Sequence, residues 1–281
     1  MLLSIITINY NNAIGLQRTL NSVAEQLFCN YEHIIIDGGS TDDSIIVIQN
    51  YVLKVLHSTL LFAPKISWLS EKDNGIYDAM NKGIDRAQGE YCLFLNSGDV
   101  FAHAHVLEDI VQYGMNADII CGDSIFEASK YHDVRHIVSP NTIRASHLIL
   151  SFLPHQSSFI KRSLFDEIHR YDTAFKVISD WLFFIEALLL HKVSYQHIPI
   201  VVSHCETEGI SNNPNNCCLM EEEFERGMKK IMPDFFEDYV ELRSFRRESL
   251  RPVYKFFKNN EQSLWFKIVW KLHRLKTQYL K

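Results

Sequence analysis

The chain has 281 residues, 47% hydrophobic and 22% charged, with a formal net charge of −6. This is the make-up of an ordinary globular protein and excludes collagenous, low-complexity and disordered classes. At this length one large domain, or one domain with an appendage, is expected.

The opening "MLLSIITINYNN" has neither a positive leader nor a small-residue cleavage site, so it reads as a first strand and not as a signal peptide. "LSIITI" (3–8), "EHIIID" (32–37), "KISWLS" (65–70) and "YCLFL" (91–95) are too short for helices and too uniformly apolar for a half-exposed sheet. They predict central parallel strands. Between them, 14–27, 42–53 and 76–87 have helical spacing, with Ile76, Met80, Ile84 and Ala87 on one stripe. This βαβ order implies a right-handed α/β sheet covered by helices on both faces. Beyond Asp99, 118–123 and 193–204 predict short strands and 178–191 a helix, a mixed sheet completing the same domain.

Past "NNPNN" (212–216) the chain turns helical and basic, with breaks at Pro233 and Pro252. The expected division is therefore 1–215 and 216–281, the first part comprising halves 1–100 and 101–215. The longest apolar run, "WLFFIEALLL", carries Glu186 and is about half of the roughly 20 residues that span a bilayer, so no transmembrane helix is expected. The cysteines, Cys29, Cys92, Cys121, Cys205, Cys217 and Cys218, show no Cys-x-x-Cys spacing. Buried reduced thiols, and hence a reducing compartment, are expected.

Ligands of open α/β sheets bind beyond the carboxyl ends of the strands. Those ends read "TINYNN", "DGGSTDDS", "SEKDNGIYDAMN" and "NSGD". Taken singly, the second is a strand-to-helix turn with an acidic cap, and Asp73-Asn74-Gly75 is a turn before a helix. Taken together they predict a cleft of acceptors for ribose hydroxyls and nucleobase N–H groups, with Tyr10 placed to stack on a base. No Gly-x-Gly-x-x-Gly follows the first strand and no Walker A pattern occurs, which disfavours a dinucleotide cofactor or an ATPase.

"SIITINYNN", "IIIDGGSTDDS", "SEKDNGIYDAMNKGI", "FLNSGD", "PHQSSFIKRSLF" and "ISDWLFFIEAL" resemble, in order and spacing across about residues 1–211, the motifs of glycosyltransferase family 2. These are inverting, nucleotide-sugar-dependent enzymes of the GT-A fold, a Rossmann-like, mostly parallel sheet. The variant here is similar to bacterial enzymes of colanic-acid-type exopolysaccharide, capsule or O-antigen synthesis. The resemblance implies that Thr7, Asn9, Tyr10, Asp37 and Asp73 hold the nucleoside, most often uridine. It implies that Gly75, Tyr77 and Asn81 shape the donor pocket, with Ser97 on the donor side. Asp99 matches the last carboxylate of the family's DXD motif, which binds Mg²⁺ or Mn²⁺ on the sugar diphosphate, while Asn96 and Gly98 stand where the fuller pattern has Asp. One carboxylate can suffice, because Mg²⁺ keeps water and substrate phosphate ligands.

Asp180 matches the catalytic base. Its place at a helix start is also what a capping residue would take. His155 and Gln156 fall near the acceptor side, and Trp181 is placed to pack on a sugar face or in the core. His204 sits where some relatives have a metal- or diphosphate-contacting residue, and Gly209-Ile210-Ser211 resembles a mobile loop that covers the diphosphate.

From Glu241 onward eleven Lys/Arg face three Glu, a local +8 that leaves −14 for the rest. Residues 252–281 interleave Phe, Trp and Lys, the pattern of an interfacial segment on anionic lipid or of a helix packed on the domain. The first pattern implies a polyprenyl-diphosphate-linked acceptor at the cytoplasmic membrane face; nothing suggests nucleic-acid readout. The competing readings are a non-catalytic nucleotide-sugar-binding scaffold and a sugar-nucleotide pyrophosphorylase, the latter lacking the expected Gly-rich basic loop after strand one.

Overall fold

The computed structural model describes residues 1–57, 64–128, 133–206, 209 and 216–248. The order begins β1 (Leu3–Asn9), α1 (Ala13–Ala24), β2 (Tyr31–Asp37), α2 (Ser44–Leu56), β3 (Lys65–Ser70), α3 (Ile76–Arg86) and β4 (Tyr91–Phe94). It continues with β5 (Val100–Phe101), α4 (Val106–Tyr113), β6 (Ile119–Ala128), β7 (Asp133–Ile137), α5 (Ala145–Leu150), β8 (Ser158–Lys161) and α6 (Leu164–Glu167). The last elements are α7 (Ser179–Ile185), β9 (Tyr195–Glu206), α8 (Cys217–Ile231) and α9 (Phe236–Glu248).

These strands make one nine-stranded sheet in the order β3-β2-β1-β4-β8-β6-β9-β5, with β7 paired to β6. The first four strands are mutually parallel, as their apolar runs predict. β1 and β2 are buried along their whole length. β3 departs from the expectation of a central strand. Among the described residues it pairs only with β2, and Lys65 and Trp68 are exposed, so it forms the edge. The second half is mixed: β8 runs antiparallel to β4 and β6, β9 is parallel to β6, and the two-residue β5 pairs antiparallel with β9.

Leu3, Ile5, Leu93, Phe159 and Val202 pack in one core cluster, and Leu16, Leu20, Ile35, Ile48 and Tyr51 in another. Each fully buried Leu or Ile contributes about 1.5–3 kcal/mol. α3 lies close on β1 because Gly83 has no side chain; a Cβ there would collide with Ile6 Cγ2. On α3 the expected stripe holds at Met80, Ile84 and Ala87, with Ile76 only half-buried. The helix expected over 178–191 is α7, followed by a π-helical turn at Glu186–Leu190.

All six cysteines are free. Cys92, Cys121 and Cys205 are buried as expected, whereas Cys217 and Cys218, which open α8 after a polar segment, are exposed. The chain divides into two compact units, Met1–Gly227, which holds the whole sheet, and Met228–Lys281. In the second unit Lys229 lies 4.4 Å from the centroid of the Phe236 ring. Among the described residues no helix is long and apolar enough to cross a membrane. The aromatic and basic tail, 252–281, and Ile210-Ser211 lie outside the described residues.

Candidate active site

The carboxyl ends of β1 and β2 lie side by side, with Asn9 opposite Asp37. Asp37 is buried and accepts from Asn9 Nδ2 (2.8 Å), the Ser40 amide (2.9 Å), Ser40 Oγ (2.5 Å) and Ser70 Oγ (2.7 Å). Burial pushes its pKa up, but the Ser40, Ser70 and Asn9 hydrogen bonds outweigh burial and hold it below the ordinary value. Asp73 comes from the loop after β3 and accepts from the Gly75 amide at 3.0 Å. Its Oδ2 occupies the space a Cβ on Gly38 would need, so the glycine of "DGGS" is a seat for Asp73. Gly75 has φ +116°, which favours glycine, and opens α3. Tyr10 is 65% exposed beside these groups, free to stack on a planar ligand.

The loop Asn96-Ser97-Gly98-Asp99 is tied to α1. Thr19 Oγ1 donates to the Asp99 carbonyl (2.7 Å) and accepts from the Gly98 amide (2.9 Å). Asn12 caps α1 through the Gly15 amide (3.1 Å) while its Nδ2 donates to the Ser97 carbonyl (3.2 Å). Arg18 donates to the Gly98 carbonyl (3.1 Å) and pairs with Glu206 (2.5 Å) at the end of β9. Gly98 has φ +107°, and a Cβ there would come within 2.8 Å of Glu206 Oε2. The Asp99 side chain is 6% exposed. Burial raises its pKa to about 6, against the His155 charge, a Gln156 hydrogen bond and the Glu206 amide.

Asp180 sits in the first turn of α7, one residue beyond Ser179, while the capping position falls to Ile178. Tyr77 Oη donates to its Oδ1 at 2.7 Å, and His155 Nδ1 lies 2.9 Å from its Oδ2. The other ring nitrogen of His155, Nε2, lies 3.1 Å from Asn96 Nδ2. Burial alone would raise the Asp180 pKa, yet the His155 hydrogen bond and charge, with Tyr77, bring it below the ordinary value. For His155 burial favours the neutral ring, but the hydrogen bond and charge of Asp180, with the charge of Asp99, hold its pKa above the ordinary value. The result is an ionised carboxylate, 17% exposed, at the edge of the same loop that carries Asp99.

Other predicted residues are occupied within the protein. Thr7 Oγ1 meets His33 Nε2 at 3.0 Å, and burial lowers the His33 pKa to about 3, so that ring is neutral. Asn81 exchanges two hydrogen bonds with the Tyr171 backbone (2.8 and 3.0 Å), which makes it a brace and not a lining of the donor pocket. Trp181 is a core aromatic and not a sugar-facing one. It is 6% exposed, donates from its indole to the Leu148 and Ser151 carbonyls, and meets Phe224 edge-on. His204 stands opposite Val100 on β9, with Nδ1 3.3 Å from Glu127. Sequence reasoning missed Thr19, Arg18, Ser70 and Glu206. Thr19 and Arg18 lie within α1, Thr19 on its buried face, and fall in no motif that marks the site; Ser70 and Glu206 end β3 and β9.

Among the described residues no cluster of three or more His, Cys, Asp or Glu can hold a metal ion. The donor set fits an ion that arrives with phosphate ligands of its own, because Asp99 is a buried carboxylate whose charge the protein leaves partly uncompensated.

Residues 4–178 match the family described as glycosyl transferase family 2. An uncharacterized glycosyltransferase of Mycobacterium tuberculosis is 32% identical over 199 residues, covering 66% of this chain and 69% of the relative. A PGL/p-HBAD biosynthesis glycosyltransferase of Mycobacterium bovis is 29% identical over 223 residues, covering 74% and 78%. S. aureus TarS 1–349 in complex with UDP-GlcNAc superposes with a TM-score of 0.64 at 21% identity, over 82% of this chain and 65% of that one. This chain spans 39% of a longer TarS structure. A Pyrobaculum calidifontis mannosyltransferase in complex with GDP-Man and Mn²⁺ gives 0.61 at 13% identity, over 99% and 80%. The fold is GT-A-like, and the chain belongs to glycosyl transferase family 2 as a nucleotide-sugar-dependent glycosyltransferase.

Proposed function

We propose that this chain transfers a sugar, with inversion, from a nucleotide-diphosphate sugar to a hydroxyl of a glycan or lipid-linked acceptor, with Asp180 as general base. The observation that carries this reading is the ionised Asp180 carboxylate, clamped by Tyr77 and His155 beside the Asn96–Asp99 loop. Asp180 takes the proton of the acceptor hydroxyl as that oxygen attacks the anomeric carbon. The nucleoside diphosphate leaves from the opposite face, through an oxocarbenium-like state. Asp73, with Tyr10 stacking, holds the nucleoside, Asp37 acts behind them as a brace whose oxygens already accept four hydrogen bonds, and Asp99 would hold Mg²⁺ or Mn²⁺. Such an ion would withdraw charge from the departing diphosphate.

A UDP-sugar is the donor class, in line with the UDP-GlcNAc in TarS, although the GDP-Man in the mannosyltransferase makes GDP-sugars the alternative to screen. The acceptor class is a bacterial surface glycan or glycolipid precursor, and the aromatic, basic composition of residues 252–281 supports work at the cytoplasmic membrane face. The division at about residue 216 into a transferase domain and a basic helical region belongs to the same proposal. The test is release of UDP or GDP from a donor panel, with and without Mn²⁺, by the native chain and Asp180→Asn. Loss of about 10²–10⁴-fold is expected; unchanged turnover refutes the assignment.

A further inference from the structure

Four elements far apart in the chain meet in one hydrogen-bonded line. Asn96 comes from the loop after β4, His155 from the turn before β8, Asp180 from α7 and Tyr77 from α3. We propose that His155 and Asn96 are positioning residues for Asp180: Asn96 fixes the imidazole of His155, which with Tyr77 fixes the carboxylate. This inference rests on the reading of Asp180 as base.

The polarity of the line follows from its ends. An ionised carboxylate only accepts, so His155 must carry hydrogen on Nδ1. In the neutral ring Nε2 is then an acceptor, and the group facing it is the Asn96 Nδ2 amine, a donor. A carboxylate at position 96, as in the fuller family motif, has no hydrogen to give and would require a doubly protonated ring. Asn96 suits either ring state. Its Oδ1 is buried without a partner, and turning the amide over offers that oxygen to an Nε2–H when the ring is charged. The charged groups facing the ring are Asp180 on α7 and Asp99 after β4. Tyr77 and His155 take one oxygen each and the Trp181 amide adds a third hydrogen bond, so the carboxylate is held at both oxygens and keeps a lone pair for an acceptor hydroxyl. Fixing a base in this way lowers the cost of reaching the reactive geometry and leaves donor binding untouched.

The experiment has two arms on the full chain. The first is ¹⁵N-imidazole NMR at a pH where the ring has lost its second proton, with the His155 signal assigned by its absence in His155→Asn. The expected result is the Nδ1–H tautomer, with an Nε2 shift that moves toward the unbonded position in Asn96→Ala. An Nε2–H tautomer, or no response to Asn96→Ala, overturns the proposal.

The second arm follows hydrolysis of UDP-N-acetylglucosamine or GDP-mannose, whichever the native chain turns over. Asn at 155 keeps an N–H where Nδ1 stood, whereas Gln places it near Nε2. His155→Gln should lose about 10–100-fold in kcat at unchanged KM, as supporting residues typically do, and His155→Asn should recover most of it. Equal losses in both, or a loss confined to KM, overturn the positioning role. Failure of the base reading appears separately as undiminished turnover in Asp180→Asn, and the tautomer measurement decides the line without any turnover.

Discussion

Asp99→Asn removes a carboxylate that the fold keeps ionised against its own burial. In the folded chain its pKa is about 6, against an ordinary 3.8. A raised carboxyl pKa means that the charged form is disfavoured by folding, so the penalty is full above about pH 6 and shrinks as pH falls toward the unfolded value. At 1.36 kcal/mol per pKa unit, the roughly two-unit difference corresponds to about 3 kcal/mol at pH 8. By the same linkage it falls to about 0.5 kcal/mol at pH 4. Asn accepts one hydrogen bond fewer, which costs about 1 kcal/mol. The variant should therefore be about 2 kcal/mol more stable than the native chain at pH 8, or about 4–8 °C in Tm, and no more stable at pH 4. Urea or thermal unfolding in the presence of a chelator measures this. The native chain alone should then gain stability from Mn²⁺ with UDP. A variant no more stable than the native chain at pH 8 would refute the view that Asp99 is held under electrostatic cost for a bound cation.

Tyr77→Phe removes one of the two side-chain donors to Asp180, worth about 1.5 kcal/mol to the ionised carboxylate. The acid limb of the kcat–pH profile should therefore move up by about one unit, and an unmoved limb would separate Tyr77 from the base. In Gly38→Ala the new methyl displaces the Asp73 carboxylate, a side-chain end that can swing away. UDP affinity by calorimetry should fall about tenfold, equivalent to one lost hydrogen bond, with little change in Tm. Gly83→Ala drives a methyl into buried Ile6 and should cost about 1–3 kcal/mol in unfolding experiments through overpacking. Unaltered stability there would contradict the close seating of α3 on β1.

The parallel half of the sheet was legible because buried strands advertise themselves as short apolar runs, and their polar ends mark the ligand edge. The same criterion misplaced β3, since "KISWLS" is apolar enough for a central strand while only pairing decides that it is the edge. β5, at two residues, is below what periodicity can register, and β8 has only Phe159 and Ile160 between the polar Ser158 and Lys161. Motif order singled out Asp180 and Asp99 as candidates. It could not reveal that His155 and Tyr77 would meet on Asp180, or that Asn81 and Trp181 would be used up by backbone carbonyls and amides. Those outcomes depend on contacts between residues far apart in sequence. Thr19 and Arg18 were invisible for the same reason, since their partners lie about 80 positions away.

The Tyr77–Asp180 hydrogen bond joins the two halves of the domain across 103 residues, whereas β1 to β4 lie within the first half and are complete at Phe94. Long-range contacts cost loop entropy and form slowly relative to local ones. The nucleotide side draws on strand ends of the first hundred residues, whereas the base meets its phenol partner only with the second half of the sheet in place on β4, so catalytic competence is expected to come late in folding. In refolding experiments, recovery of UDP binding should precede recovery of turnover.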